Sequence, residues 1–125
     1  MIAMGKHEFK MLRKREGSLE CDACEWRPPK AMRHTDRPRV MHAHHVIPRS
    51  CGGADTLENM ILLCPNCHGL THCLWRSAAV PGWAPRKWHG PRTPHDLVVE
   101  LRKVLDPFVA PSVVPQKYLA LSDAT

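Results

Sequence analysis

Nine histidines and six cysteines stand out among 125 residues as groups able to do chemistry. Cys21-Asp22-Ala23-Cys24 and Cys64-Pro65-Asn66-Cys67 are two CxxC pairs. Two intervening residues let both thiolates of a pair converge on one ion from a tight turn, and two such turns complete a tetrahedral shell suited to zinc. A disulfide framework or a redox pair is the competing use. The start of the chain lacks a secretory apolar core, so a cytoplasmic location is expected, where thiols stay reduced. No thioredoxin-like pattern surrounds either pair. Cys51 and Cys73 are left over and read as small buried hydrophobes. The histidines fall in two groups: Met41-His42-Ala43-His44-His45-Val46-Ile47-Pro48 lies between the cysteine pairs, and His68 and His72 follow the second pair. Positions i and i+4 share a helix face, so these last two imidazoles can address one ion. Zinc closed by four thiolates does no chemistry, whereas an ion held by a few imidazoles keeps positions for water and substrate. The cysteines therefore read as scaffold and the histidines as an active site.

Short elements must carry these side chains. Lys6 to Arg15 is a basic, helical segment with Phe9 and Leu12 on one side, ended at Gly17. Residues 27–39 are basic, proline-punctuated and expected to be a loop. Val40 to Ile47 is a strand candidate stopped by Pro48, and Gly52-Gly53 is a turn signal. Met60 to Leu63 is an apolar run that periodicity leaves open between strand and helix. A helix is expected from about Asn66 to Trp75, then irregular chain from Val80 to Pro94. Thr93 as N-cap and Pro94 at the first helical position open a last helix, its apolar face built from Leu97, Val98, Leu101, Val104 and Leu105. Residues 107–125 read as an extended arm or a disordered tail.

The length allows one domain. With aromatics at 6% and twelve prolines, a large apolar core is not expected, and metal is a natural supplement. No apolar run approaches the roughly 20 residues needed to span a bilayer, so a membrane partner is excluded. Eighteen Lys and Arg against twelve Asp and Glu give a formal charge of +6, which favours a polyanionic partner such as nucleic acid. The excess is uneven: residues 1–49 hold eleven basic and six acidic residues, and residues 50–74 hold no Lys or Arg. Lys6, Lys10, Arg13, Lys14 and Arg15 form one basic group; Arg27, Lys30, Arg33, Arg37 and Arg39 form another. Arg49 follows the strand, and Arg76, Arg86, Lys87 and Arg92 are mixed with Trp75, Trp83 and Trp88. Arg39, Arg49, Arg76 and Lys87 are the candidate nucleic-acid contacts. They would give salt-dependent, weakly sequence-specific binding.

The run from His44 to His68 resembles the core of an HNH endonuclease. Its histidine pair, Ile47-Pro48, Gly52-Gly53, Asn59 before Met60-Ile61-Leu62-Leu63, and Cys64-Pro65-Asn66-Cys67-His68 follow the family pattern in order. The resemblance implies a small α+β fold: a zinc-stapled ββα-metal (His-Me finger) core, a two-stranded hairpin and a helix around one divalent ion, with flanking helices. It divides the chain into a basic N-terminal segment (1–17), the nuclease core with its zinc knuckles (18–76), a Trp/Pro-rich loop with the amphipathic helix (77–106), and the tail (107–125). It implies His45 as general base, Asn59 as the residue bracing the hairpin loop and orienting that base, and His44 and His68 as ligands of the catalytic ion. His72 is a plausible third ligand. Cys21, Cys24, Cys64 and Cys67 hold the structural zinc. His44 stands where many members carry Asp, which shifts the donors towards nitrogen and leaves Mg²⁺, Mn²⁺, Ni²⁺ and Zn²⁺ all in play. His42 shares a strand face with His44 and is expected in an outer-shell or structural role. The implied activity is hydrolysis of double-stranded DNA, leaving 5′-phosphate and 3′-hydroxyl ends. Free-standing members of this size suggest a phage or mobile-element origin and a packaging terminase as partner. The alternatives are a non-catalytic zinc-stabilised nucleic-acid-binding module or a packaging adaptor.

Overall fold

The computed structural model describes residues 3–81 and 85–105. Helix α1 spans Lys6–Arg15, and a single helical turn, α2, spans Arg37–Val40. Strands β1 (His42–His45) and β2 (Met60–Leu63) form an antiparallel hairpin that pairs His42 with Leu63, Ala43 with Leu62, His44 with Ile61 and His45 with Met60. Helix α3 (Pro65–Leu74) follows directly. Two-residue strands β3 (Ala79–Val80) and β4 (Lys87–Trp88) pair with each other, and α4 runs Pro94–Leu105.

All four residues of β2 are buried, since α1 and α3 both pack on this hairpin. The strand therefore reads as a continuous apolar run instead of an alternation. On β1 the alternation survives: Ala43 and His45 are buried, while His42 and His44 are half-buried. Phe9 of α1 and Leu97 and Leu101 of α4 complete the small core.

The first cysteine turn is bound to the free edge of β2. The backbone N–H of Asp22 donates to the Leu62 carbonyl at 2.8 Å, and the Asp22 carboxylate accepts from the Leu62 N–H at 2.9 Å. Arg13 grips the same carboxylate with both terminal nitrogens, at 3.0 and 2.7 Å. Arg102 of α4 donates to the Ala23 carbonyl at 2.8 Å. Two helices and a strand edge thus fix one four-residue turn.

Several sequence expectations need correction. The strand does not extend from Val40 to Ile47. Pro38 sits in the first turn of α2, and the Met41 N–H closes that turn on the Pro38 carbonyl, so Val40 is helical. At the other end the Asn59 side chain takes both backbone groups of Ile47, replacing a strand partner. The stretch expected to be irregular contains the β3–β4 pair. Cys73 is exposed and Cys51 half-buried, so neither is a core residue. The proposed 107–125 tail and Trp83 lie outside the described residues.

Candidate metal centre and active site

The two CxxC turns repeat one geometry. Cys21 Sγ accepts the Cys24 N–H at 3.4 Å, and Cys64 Sγ accepts the Cys67 N–H at 3.4 Å. Cys64 thereby caps α3, with Pro65 at the first helical position. All four sulfur atoms lie within 4.8 Å of one another. A zinc tetrahedron with bonds of about 2.3 Å has S···S edges of about 3.8 Å, and Cys24 Sγ lies 3.7 Å from Cys64 Sγ. The donor set fits zinc. The thiols also cannot share the site independently. Hydrogen bonds from Cys24 and Cys67 hold Cys21 down to about 6, and those from Cys21 and its neighbours hold Cys64 low; Cys24 and Cys67 are pushed up, first by their bonds to Cys21. A divalent cation removes that competition by accepting all four as thiolates.

On the hairpin's other side, His44 of β1 meets His68 and His72 of α3. One ring nitrogen from each lies within 4.8 Å of the others. The i, i+4 spacing puts the helical pair on one face, with His68 Nε2 and His72 Nε2 3.0 Å apart. Two nitrogens bound at right angles about 2.1 Å from one ion stand about 3.0 Å apart. Burial, then the neighbouring His68 and His72, pushes His44 down to about 3. Burial, then His72 and His42, pushes His68 down to about 4. Both rings are therefore neutral near pH 7, the state in which imidazole ligates metal. His42 stacks on His68 at 4.5 Å between centroids, but is not one of the three converging donors.

His45 alternates to the opposite face of β1 from His44 and is 8% exposed. Its Nε2 lies 2.6 Å from Asp55 Oδ1. Arg49 Nε approaches the same oxygen at 3.6 Å. Among the described residues no hydrogen bond is made to His45 Nδ1.

The loop that brings Asp55 to His45 is built around Asn59. Its Oδ1 accepts the Ile47 N–H at 2.9 Å, and its Nδ2 donates to the Ile47 and Ala54 carbonyls at 3.0 and 2.9 Å. Gly52 adopts φ +86°, and a Cβ on Gly53 would lie 1.7 Å from the Ile47 carbonyl oxygen. The glycine pair is thus a requirement of this turn. Met4 N–H donates to the Asp55 carbonyl at 2.6 Å, pinning the loop to the N-terminal segment. Asp55 is the site residue that sequence reasoning missed. Its only local signal is its place directly after Gly52-Gly53-Ala54, within the loop that Asn59 closes.

Arg39, Arg49, Arg76 and Lys87 are all exposed. They lie on four different segments, and of the four Arg49 reaches the His45–Asp55 pair.

A hairpin and a helix presenting three imidazoles, beside a four-thiolate clasp, is the ββα-metal arrangement. The HNH endonuclease family model matches residues 21–73. Over 52 residues the chain is 44% identical to the type IV methyl-directed restriction enzyme EcoKMcrA of Escherichia coli K12, covering 42% of this chain and 18% of that protein. Over 31 residues it is 48% identical to anaredoxin of Nostoc sp. PCC 7120, covering 25% of this chain and 41% of that protein. The chain thus spans about a fifth of the first relative and about two fifths of the second. No solved structure gives a significant match.

Proposed function

We propose that this protein is a divalent-metal-dependent HNH endonuclease that hydrolyses DNA phosphodiester bonds. The observation that carries the reading is the convergence of His44, His68 and His72 from two elements, with the buried His45 next to His44 on β1. The three histidines hold the catalytic ion, and Cys21, Cys24, Cys64 and Cys67 hold a structural zinc. When bound, the divalent ion neutralises the scissile phosphate and the charge developing on the leaving 3′-oxygen. His45 acts as general base on water. With its proton on Nε2 and donated to Asp55, the ring keeps its lone pair on Nδ1, ready to take a proton from water. Asp55 fixes that tautomer and stabilises the imidazolium that forms. Asn59 holds the loop that carries Asp55. Arg39, Arg49, Arg76 and Lys87 contribute phosphate contacts, which position the duplex without reading its sequence.

A phage origin and action beside a packaging terminase is the finer form of this reading, and co-purification with a terminase subunit checks it. Among the described residues no helix is long and apolar enough to cross a membrane, which suits an enzyme acting on DNA.

The test is supercoiled-plasmid cleavage in Mg²⁺, Mn²⁺, Ni²⁺ and Zn²⁺, with His45→Ala alongside. The wild type is expected to nick or linearise the plasmid with at least one ion, and His45→Ala to lose this while keeping its fold and DNA affinity. Equal cleavage by both removes His45 from the mechanism. DNA binding with no metal-stimulated cleavage returns the protein to the non-catalytic module, and tight terminase binding alone to the adaptor.

A further inference from the structure

Helix α1 connects the histidine cluster to a second basic region. The helix packs against β1, the strand that carries His44, and Lys6 opens its first turn. Lys14, in its last turn, lines a cleft of about 220 Å³ on the far side of the helix's length. At about 1.5 Å per residue, the two lysines are separated by about 12 Å along the axis.

The cleft is cationic. Lys14, Arg27, Lys30, His34 and Arg37 line it, and no acidic residue does. Gly17 and the buried Leu19 and Pro28 complete the lining. Arg37 is fixed by backbone, donating to the Met32 and Lys30 carbonyls at 3.2 and 2.9 Å. Arg27 is held by Glu20 at 2.5 Å, leaving the other cations without a carboxylate partner among the described residues. Three basic residues, Arg13, Lys14 and Arg15, crowd the last turn of α1 and offset its negative end. Converging like charges with nothing between them repel, and an anion relieves the repulsion. The space far exceeds the share of one water, about 30 Å³.

We infer that this cleft seats a backbone phosphate of the nucleic acid, away from the bond being cut. The inference rests on the DNA-binding side of the proposed function. At about 3.4 Å per nucleotide along one strand, the separation set by α1 corresponds to three or four nucleotides. One strand following α1 reaches both regions.

The test uses binding without cleavage. Lys14→Glu combined with Lys30→Glu alters two side chains that hold no structural bond, and thermal melting and zinc content check that the fold survives. Duplex affinity is measured by fluorescence anisotropy with no added divalent ion, over a range of salt. The double variant is expected to bind at least about tenfold more weakly at about 100 mM salt, with a salt slope reduced by about 1–2. Lys103→Glu, a reversal on α4 away from the cleft, is expected to have a much smaller effect. Inorganic phosphate is expected to shift the Gly17 and His34 amide resonances of the wild type but not of the double variant, and duplex DNA to displace it. A double variant that binds duplex as well as Lys103→Glu overturns the inference. So does phosphate bound there that duplex DNA fails to displace, which marks a site for a free anion. A wild type that binds through the cleft yet never cuts plasmid ends the catalytic reading and upholds this one.

Discussion

His45 Nε2 and Asp55 Oδ1 stand 2.6 Å apart, joined across a loop that the Asn59 side chain closes. A general base typically contributes about 10²–10⁴-fold, and it does so only with its lone pair correctly placed. Asp55→Ala is therefore expected to lower kcat for plasmid cleavage by about 10–100-fold, with duplex affinity unchanged. Asp55→Asn, which can still accept the Nε2–H, is expected to recover part of that loss. Single-turnover cleavage with separately measured affinity distinguishes this from a loss of binding.

The loop itself is a second target. Gly53→Ala drives a methyl group into the Ile47 carbonyl, and is expected to destabilise the fold by about 1–3 kcal/mol. Asn59→Ala leaves the Ile47 and Ala54 groups without their partner, with an expected loss of about 2–4 kcal/mol. Urea melts of both variants, with the cleavage rate measured well below the transition, check each value.

The sequence made the ion-holding parts legible because their geometry is local. Two residues between cysteines define a turn, and His68 and His72 share a helix face through the 3.6-residue repeat alone. The order of elements from His44 to His68 is equally local, since Asn59, Gly52 and Gly53 close one short loop. What stayed hidden depends on contacts between distant segments. The bonds from Asp22 to Leu62 join residues forty positions apart, and nothing in Cys21-Asp22-Ala23-Cys24 marks its aspartate as a strand partner. Asp55 looked like an ordinary polar loop residue until His45 was placed against it. Strand β1 is shorter than its apolar pattern because Pro38 and the Asn59 side chain claim its two ends. Cys73 lies on the exposed face of α3, which the weak apolar pattern of that helix did not reveal.

Removal of the thiolate-bound zinc is expected to unfold the core. Cys21, Cys64 and Cys67 are buried beside β2, and structural zinc sites contribute about 10–16 kcal/mol of apparent binding free energy near pH 7. A strong chelator, or Cys64→Ser, is expected to abolish the cooperative thermal transition, as followed by circular dichroism. Asp22→Ala is expected to cost about 2–3 kcal/mol with zinc still bound, since the turn keeps its ligands but loses its clasp to Arg13 and Leu62.

The depressed histidines set a pH dependence. His44 and His68 titrate lower in the folded chain, near 3 and 4, than the ordinary value of 6.5. The unfolded chain therefore binds more protons below 6.5, so their contribution to stability is present above that pH. It is lost as pH falls from about 6.5 through the folded values. The double variant His44→Ala, His68→Ala is expected to show a flatter decline in melting temperature over that range than the wild type. An unchanged decline assigns the acid sensitivity to other groups.

The account turns most directly on the number and place of the ions. Zinc-loaded protein titrated with Ni²⁺ or Mn²⁺ in a calorimeter is predicted to take up one further ion per chain. His68→Ala is predicted to lose that binding event and keep its zinc, and His45→Ala to retain both. Uptake that survives His68→Ala, or that disappears with His45→Ala, would contradict an ion shared by His44, His68 and His72.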